Sequence, residues 1–197
     1  RTFGPEGKRT QVIMLDTRFF RTPLSRTDEY GAKGKERYVP SADLHQDMLG
    51  TDQWTWLENQ LQQPADLRLI VSSVQVLATD GHGYEAWSRL PLEQSRLYGL
   101  IGETGANGVV FLSGDRHAAF LYRKDGVLDY PAYELTASSL NASFSGTTSE
   151  IDAAQIGAGY SQENFGAIDI DWEAGTAALS IKANDGATVG ETTVKFK

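Results

Sequence analysis

An α/β fold, with a parallel sheet in the first part of the chain and antiparallel strands after it, follows from three features of the sequence. Short apolar runs rich in β-branched and aromatic residues alternate with amphipathic segments of helical length as far as Ser113, the order that produces crossover connections and parallel pairing. Two of these runs, Gln11–Leu15 and Val109–Leu112, stop abruptly in polar residues, Asp16-Thr17-Arg18 and Ser113-Gly114-Asp115-Arg116-His117. Beyond His117 apolar residues alternate with polar ones between turn dipeptides, the pattern of half-buried antiparallel strands.

Gln11–Leu15 is the first strand expected. Thr22–Met48 mixes Pro, Gly and charges without periodicity and reads as a long exposed loop. Asp52–Gln63 places Trp54, Leu57 and Leu61 on one face, with Gly50-Thr51-Asp52 as a cap and Pro64 as a stop, so it is expected to be a helix. Leu67–Val71 is the next strand and closes on Ser72-Ser73; Thr79–Gly83 is a turn-rich loop. Pro91–Ile101 is a second helix, with Pro91 in its first turn and Leu92, Leu97, Leu100 and Ile101 facing inward. The Val109 strand follows, too short for a helix and apolar enough to be buried on both faces. Strands are then expected over Ala119–Tyr122, Ala132–Thr136, Ile168–Trp172, Ala178–Lys182 and Thr192–Phe196, with turns at Asp125-Gly126, Ala174-Gly175 and Asp185-Gly186. Ser138–Ser161, poor in large apolar residues, is expected to be a mobile loop. The chain thus divides at residue 117 into a βαβαβ part and a β-rich tail; no internal repeat is visible.

The chain has 197 residues, 40% of them hydrophobic, which is enough for a packed core. A net charge of −8 argues against binding nucleic-acid polymers or an anionic membrane surface, and any phosphate-bearing ligand would need local cations. With no cysteine there is no disulfide, thiolate metal site or cysteine nucleophile within the chain. No apolar run is long enough to span a membrane and the polar start encodes no signal peptide. The chain begins without Met, which suggests a piece of a longer product or a processed one.

Nucleophile elbows, phosphate loops and dinucleotide fingerprints are absent from the sequence, so metal chemistry is what remains to be weighed. In α/β sheets ligands sit outside the carboxyl ends of strands, where Asp115 and His117 fall. A Gly-kinked turn can aim a carboxylate oxygen and a ring nitrogen at one cation; the plainer reading is a capping Asp and a packed His. Of the other two histidines, His45 sits in Asp43-Leu-His-Gln-Asp47, a presumed loop, and His82 in a Gly-flanked turn. Arg9, Arg18, Arg21 and Arg26 are concentrated for so acidic a chain, as phosphate ligands or as ion-pair partners. Trp54, Trp56 and Trp87 read as core and interface aromatics.

Five blocks, in order, carry a family resemblance: Met-Leu-Asp-Thr-Arg-Phe-Phe-Arg at 14–21, Met-Leu-Gly-Thr-Asp-Gln-Trp-Thr-Trp-Leu at 48–57, Leu-Ile-Val-Ser-Ser-Val-Gln-Val at 69–76, Val-Phe-Leu-Ser-Gly-Asp-Arg-His at 110–117 and Glu-Leu-Thr-Ala-Ser-Ser-Leu at 134–140. Together they resemble the carboxyl-terminal half of the alkaline phosphatase D, or PhoD-like, metallophosphatases. Trp87–Leu97 also fits, with Gln94 where the family usually has Arg. The resemblance implies a four-layer αββα metallophosphoesterase sandwich that hydrolyses phosphate monoesters and diesters in the periplasm or outside the cell. The metals it implies are iron and calcium, with zinc, manganese or magnesium as alternatives. Asp115 and His117 match the family's Gly-Asp-x-His metal motif. Arg18 is carried over as a group that orients phosphate or ties the strand end to the site. At Ser72-Ser73, where related phosphoesterases place another ligand, no imidazole is present, so Ser73 or Gln75 could only support a ligand from behind.

Two donors cannot hold a two-metal site, so the chain is expected to be either one part of a split or processed enzyme, whose partner is the amino-terminal half with the remaining ligands, or an inactive remnant by itself. The competing reading is a non-catalytic glycan- or protein-binding module in which Asp115 and His117 are structural. A third draws substitute ligands from Asp43, His45 or Asp47.

Overall fold

In the computed structural model, residues 1–79, 81–144 and 152–196 are described. The elements in chain order are β1 (Thr2–Phe3), β2 (Thr10–Met14), α1 (Thr51–Leu61), β3 (Leu67–Val71), α2 (Pro91–Glu103), β4 (Val109–Ser113), β5 (Ala119–Lys124), β6 (Ala132–Ala137), β7 (Gln155–Tyr160), β8 (Asn164–Asp171), β9 (Thr176–Ala183) and β10 (Thr188–Lys195). Seven strands form a mixed sheet in the order β1-β2-β3-β4-β6-β5-β7, and three form an antiparallel sheet, β10-β9-β8. The helices cover one face of the large sheet and the small sheet covers part of the other. Val109, Val110 and Phe111 are therefore all buried, Phe111 toward the helices and Val110 toward the small sheet.

The helix-side core joins Leu57 and Leu61 of α1 and Leu97 and Ile101 of α2 to Ile13, Ile70 and Phe111 of the sheet. The sheet-to-sheet core joins Leu67, Val110 and Leu135 to Leu179, Ile181 and Val194. Alternation along each strand sends successive side chains to the two cores. Parallel pairing of β2 with β3 and β3 with β4 follows from the crossovers the sequence implies.

Several expectations are corrected. The tail is not uniformly antiparallel, because β6 inserts between β4 and β5 and runs parallel to β4. Its Glu134 and Thr136 give it the alternation of a half-exposed strand, yet both are fully buried against a polar network. The Gly50-Thr51-Asp52 cap makes no side-chain bond; Asp47 Oδ1 instead accepts the N–H groups of Leu49 (3.0 Å) and Gly50 (2.7 Å). On α2, Leu92 is exposed and Leu100 half-buried, because Glu93 and Gln94 take the inward stripe. Glu93 Oε2 accepts from Met48 N at 2.8 Å and Trp54 Nε1 at 3.0 Å, and Gln94 Nε2 donates to Val76 O at 2.6 Å. Trp54 and Trp87 meet edge to face in the core, whereas Trp56 is exposed. Within Ser138–Ser161, residues 155–160 form β7 on the edge of the large sheet; residues 145–151 lie outside the described residues.

The Thr22–Met48 segment holds no helix or long strand, as expected, but it is tied down. Arg37 and Tyr38 donate their backbone N–H groups to Gly83 O at 3.2 and 2.8 Å, and Leu24 and Met48 are buried. This brings Tyr38 and Arg37 beside the carboxyl ends of the parallel strands.

Candidate active site

The strand β4 ends in a turn whose backbone is strained where its polar side chains emerge. Asp115 and His117 have φ of 65° and 53°, and among the described residues they are the non-glycine positions in the left-handed region. Such a conformation costs about 1–3 kcal/mol per residue and persists where surrounding bonds over-determine it. The kink is thus not carried by Gly114, whose value is closeness: a Cβ there would sit 3.3 Å from Ser138 Cβ. Ser138 Oγ accepts the N–H groups of both Arg116 (3.0 Å) and His117 (3.1 Å), and Phe144 N–H donates to His117 O at 2.9 Å. The segment after β6 therefore clamps the turn from one side.

Both Asp115 and His117 are exposed to the same cleft, of about 530 Å³. His117 Nδ1 lies 2.9 Å from Ala142 O. A carbonyl only accepts, so this contact places a proton on Nδ1, and the neutral ring would carry its lone pair on Nε2, the tautomer suited to a metal.

The end of β2 supplies the cationic arm. Asp16 Oδ1 accepts from the N–H groups of Arg18 and Phe19, both at 2.9 Å, which folds the chain so that Arg18 reaches across to β4. Its Nη2 lies 3.3 Å from Asp115 Oδ2, and its Nη1 pairs with Glu85. Glu85 Oε1 also pairs with Arg21 at 2.8 Å. Burial would raise the Glu85 carboxyl, but the hydrogen bond and charge of Arg21, reinforced by Arg18, hold it below its ordinary value. Glu85 is therefore a fixed anion that anchors Arg18. Three arginines (18, 37 and 116) and two carboxylates (Glu85 and Asp115) line the cleft, which favours an anionic ligand in a chain of net charge −8. Arg116, largely buried, stacks its guanidinium on Tyr84 at 5.5 Å.

Beneath the strand ends lies a buried polar network. Glu134 accepts the N–H groups of Val76 (2.9 Å) and Leu77 (2.6 Å), fixing the loop after β3, and burial raises its carboxyl above the ordinary range. Gln75 Nε2 donates to Tyr122 Oη (2.9 Å) and Thr136 Oγ1 (3.1 Å), and its Oε1 meets His82 Nε2 at 2.9 Å. Asp152 accepts from Thr79 N, Thr79 Oγ1 and Ala154 N at 2.6, 3.0 and 2.9 Å. These bonds seat the segment that carries Tyr84 and Glu85 into the cleft.

The family model described as PhoD-like phosphatase matches residues 3–183. The chain belongs to the PhoD-like phosphatase family. A solved structure of PhoD has the same fold over 99% of this chain, with a TM-score of 0.59 and 16% identity, and the chain spans 44% of it. Purple acid phosphatase PPD1 from yellow lupin (Lupinus luteus) seeds matches over 99% of the chain and 32% of its own length, with a TM-score of 0.53 and 11% identity. No curated protein sequence matches. The mixed sheet with an antiparallel sheet packed on it is thus a metallophosphoesterase-like fold, as the resemblance implied.

In this PhoD-like chain the structure brings Asp115, His117 and Arg18 into one cleft and leaves the other candidates elsewhere. His45 is exposed in its loop, where Asp43 caps its N–H at 2.9 Å, and Asp47 is used to begin α1, so the substitute ligand set does not assemble. His82 is buried, with both ring nitrogens bonded. The arginine cluster separates: Arg21 joins Arg18 at Glu85, Arg9 sits at the start of β2, and Arg26 lines a different hollow with Arg37. Ser73 reaches the strand-end row, its Oγ 2.5 Å from Thr17 Oγ1, whereas Gln75 belongs to the buried network. Sequence reasoning missed Glu85, Arg37, Tyr84 and Ser138, although Ser138 lies within the fifth matching block.

Among the described residues no three His, Asp or Glu side chains form a metal cluster. Asp115 and His117 offer one oxygen and one nitrogen donor, the right chemistry for one side of a metal centre but too few to make a complete one. The described residues do not fit a whole centre.

Proposed function

We propose that this chain is the part of a phosphoric ester hydrolase that carries two metal ligands and a phosphate clamp. The observation that supports this best is Arg18, delivered from the end of β2, lying 3.3 Å from Asp115 at the end of β4, with His117 in the same cleft. In this reading Asp115 and His117 are ligands to metals whose other donors come from the amino-terminal half of a PhoD-like chain. A carboxylate suits a hard cation such as calcium and an imidazole a transition metal such as iron, with zinc, manganese or magnesium as alternatives. Bound metals would polarise the phosphoryl group and lower the pKa of a coordinated water.

The chain's own residues bind and orient. Glu85 holds one side of the Arg18 guanidinium while the other side faces Asp115, so phosphoryl oxygens can take the place of the Asp115 contact with little movement of the arginine. The Tyr38 and Tyr84 rings give the ester group an aromatic wall. Monoesters and diesters are both substrates in this reading, and the enzyme works in the periplasm or after secretion. Among the described residues no helix is long and apolar enough to cross a membrane.

The test is hydrolysis of p-nitrophenyl phosphate and bis-p-nitrophenyl phosphate by the full-length gene product with added iron and calcium. The expected result is turnover that falls by at least about 100-fold in Asp115→Ala. No turnover, or an Asp115→Ala variant as active as the parent, overturns the proposal.

A further inference from the structure

Two arginines of the Thr22–Met48 segment have no carboxylate beside them. Arg26 and Arg37 line a hollow of about 220 Å³ with Thr27, Tyr30 and Tyr38, and no Asp or Glu is among its walls. In a chain with 26 acidic residues against 18 basic ones, an exposed guanidinium ordinarily finds a carboxylate, as Arg18, Arg96 and Arg123 do. Among the described residues Arg26 and Arg37 form no ion pair, because the acids nearest in sequence are engaged elsewhere. Glu29 pairs with Lys35 at 2.9 Å, Asp28 acts on the same ammonium, and Glu36 accepts the N–H groups of Gly34 (2.9 Å) and Gly83. Two like charges around one hollow repel each other, and an anion held between them removes that cost.

The hollow adjoins the candidate active site. Arg37 and Tyr38 are walls of both, so a molecule bound at Arg18 can lay a second charged group across them. That shared wall is held by backbone bonds. Arg26 and Tyr38 form an antiparallel bridge, Thr27 N–H donates to Arg37 O and Val39 N–H to Ser25 O, both at 3.0 Å. The paired segments are pinned in turn to Gly83 O, which accepts the N–H groups of Arg37 and Tyr38, and a side chain at Gly83 would run into the backbone of Lys35 and Glu36. Gly83 leads directly into Tyr84 and Glu85, and Glu85 anchors Arg18. One hydrogen-bonded unit thus carries the hollow and the anchor of the phosphate clamp, which fixes the separation of the two cationic positions.

We propose that the hollow of Arg26 and Arg37 is a second anion subsite, and that the preferred substrate is a phosphoric ester whose leaving group carries a second phosphate. One phosphate lies at Arg18 for hydrolysis and the other lies in the hollow. Planar guanidinium groups match phosphate oxygens two at a time, and the hydroxyls of Tyr30 and Thr27 add neutral donors. A carboxylate has the same sign of charge but fewer oxygens and is the weaker occupant. A net charge of −8 repels a doubly phosphorylated molecule as a whole, so its recognition depends on such local cations. The inference rests on the proposed function and names the substrate class for the same cleft.

The test measures phosphate release by the full-length gene product, with added iron and calcium, from a series of linear alkane bisphosphates of increasing length. Alkyl monophosphates and carboxyalkyl phosphates of equal length are the controls. At the length that spans the two cationic positions, kcat/KM for the bisphosphate is expected to exceed that for the monophosphate by at least about tenfold, with the carboxylate between them. Arg26→Ala should bring that ratio down to about two, the statistical factor for two equivalent ends, and Arg26→Lys should keep part of it. Because each ratio is internal to one protein, a loss of folded enzyme does not move it. A ratio near two at every length overturns the proposal. So does a ratio that Arg9→Ala, at the start of β2, lowers as far as Arg26→Ala, since the preference would then belong to the general field. Equal values for bisphosphate and carboxylate overturn phosphate as the occupant. Calorimetry with non-hydrolysable alkane bisphosphonates separates this inference from the functional one. Binding at least about tenfold tighter than an alkylphosphonate, lost in Arg26→Ala, in a product that hydrolyses no ester keeps the subsite and removes the hydrolase. Hydrolysis without any such preference does the reverse.

Discussion

His82 is buried and His117 stands exposed in the cleft, and the two rings have opposite fates. His82 is 3% exposed and uses both ring nitrogens, Nε2–H to Gln75 and Nδ1 as acceptor from Tyr84 N–H. Burial, with the charges of Arg116 and Arg89, pushes its pKa from 6.5 down to about 2, so it is neutral in the folded protein. His117 is exposed and commits one nitrogen to a backbone carbonyl, leaving the other to the cleft. A mount is thus distinct from what is mounted: a buried, bonded polar layer fixes the loops, and Asp115 and His117, the proposed metal ligands, stand in front of it on strained backbone.

The mount should dominate stability. Glu134→Ala leaves the N–H groups of Val76 and Leu77 without their acceptor in the interior, and the expected loss is about 3–5 kcal/mol in urea unfolding at neutral pH. A loss below about 1 kcal/mol would show that the layer is not what holds the loops.

The His82 shift makes a pH prediction. Its pKa is lower in the folded chain than in the unfolded one, so its contribution is fully present above 6.5 and is lost as pH falls toward about 2. Between pH 7.5 and 5.5 the wild type should lose about 1.4 kcal/mol more than His82→Asn, as measured by unfolding at the two pH values. Parallel slopes would mean that His82 titrates normally and is not part of the mount.

In front of the mount the signs change. Asp115→Gly relieves a left-handed φ and should raise stability by about 1 kcal/mol while abolishing turnover in the full-length product. Destabilisation instead would mean that the side chain, not the backbone, organises the turn. The smallest effect is expected at Arg18, whose ion pair with Asp115 is nearly half exposed on both sides. Arg18→Ala should change stability by no more than about 0.5 kcal/mol yet weaken binding of inorganic phosphate about tenfold by calorimetry.

The placing of Asp115 and His117 together at a strand end was legible because Gly114-Asp115-x-His117 interrupts an apolar run and matches a family motif. Glu134 and His82 were not, because a carboxylate inside an alternating strand and a histidine between glycines look the same whether solvated or sealed in a network. β7 escaped for a related reason: Gln-Ile-Gly-Ala-Gly-Tyr has little apolar content, and its pairing with β5 supplies the order. The four early arginines looked like one cluster, but a parallel sheet with a long loop carries Arg9 and Arg26 away from Arg18.

Local pattern alone determined the helix and strand succession, the parallel crossovers, and the placing of Asp115, His117 and Arg18 at strand ends, since periodicity and chain reversal are properties of neighbouring residues. Tertiary structure decided the rest: that β6 slots beside β4, that Glu85 from a distant loop anchors Arg18, and that Met14, at the end of β2, is 70% exposed. Those outcomes depend on which surfaces remain to be covered once the sheets have packed, and that sum is taken over the whole chain.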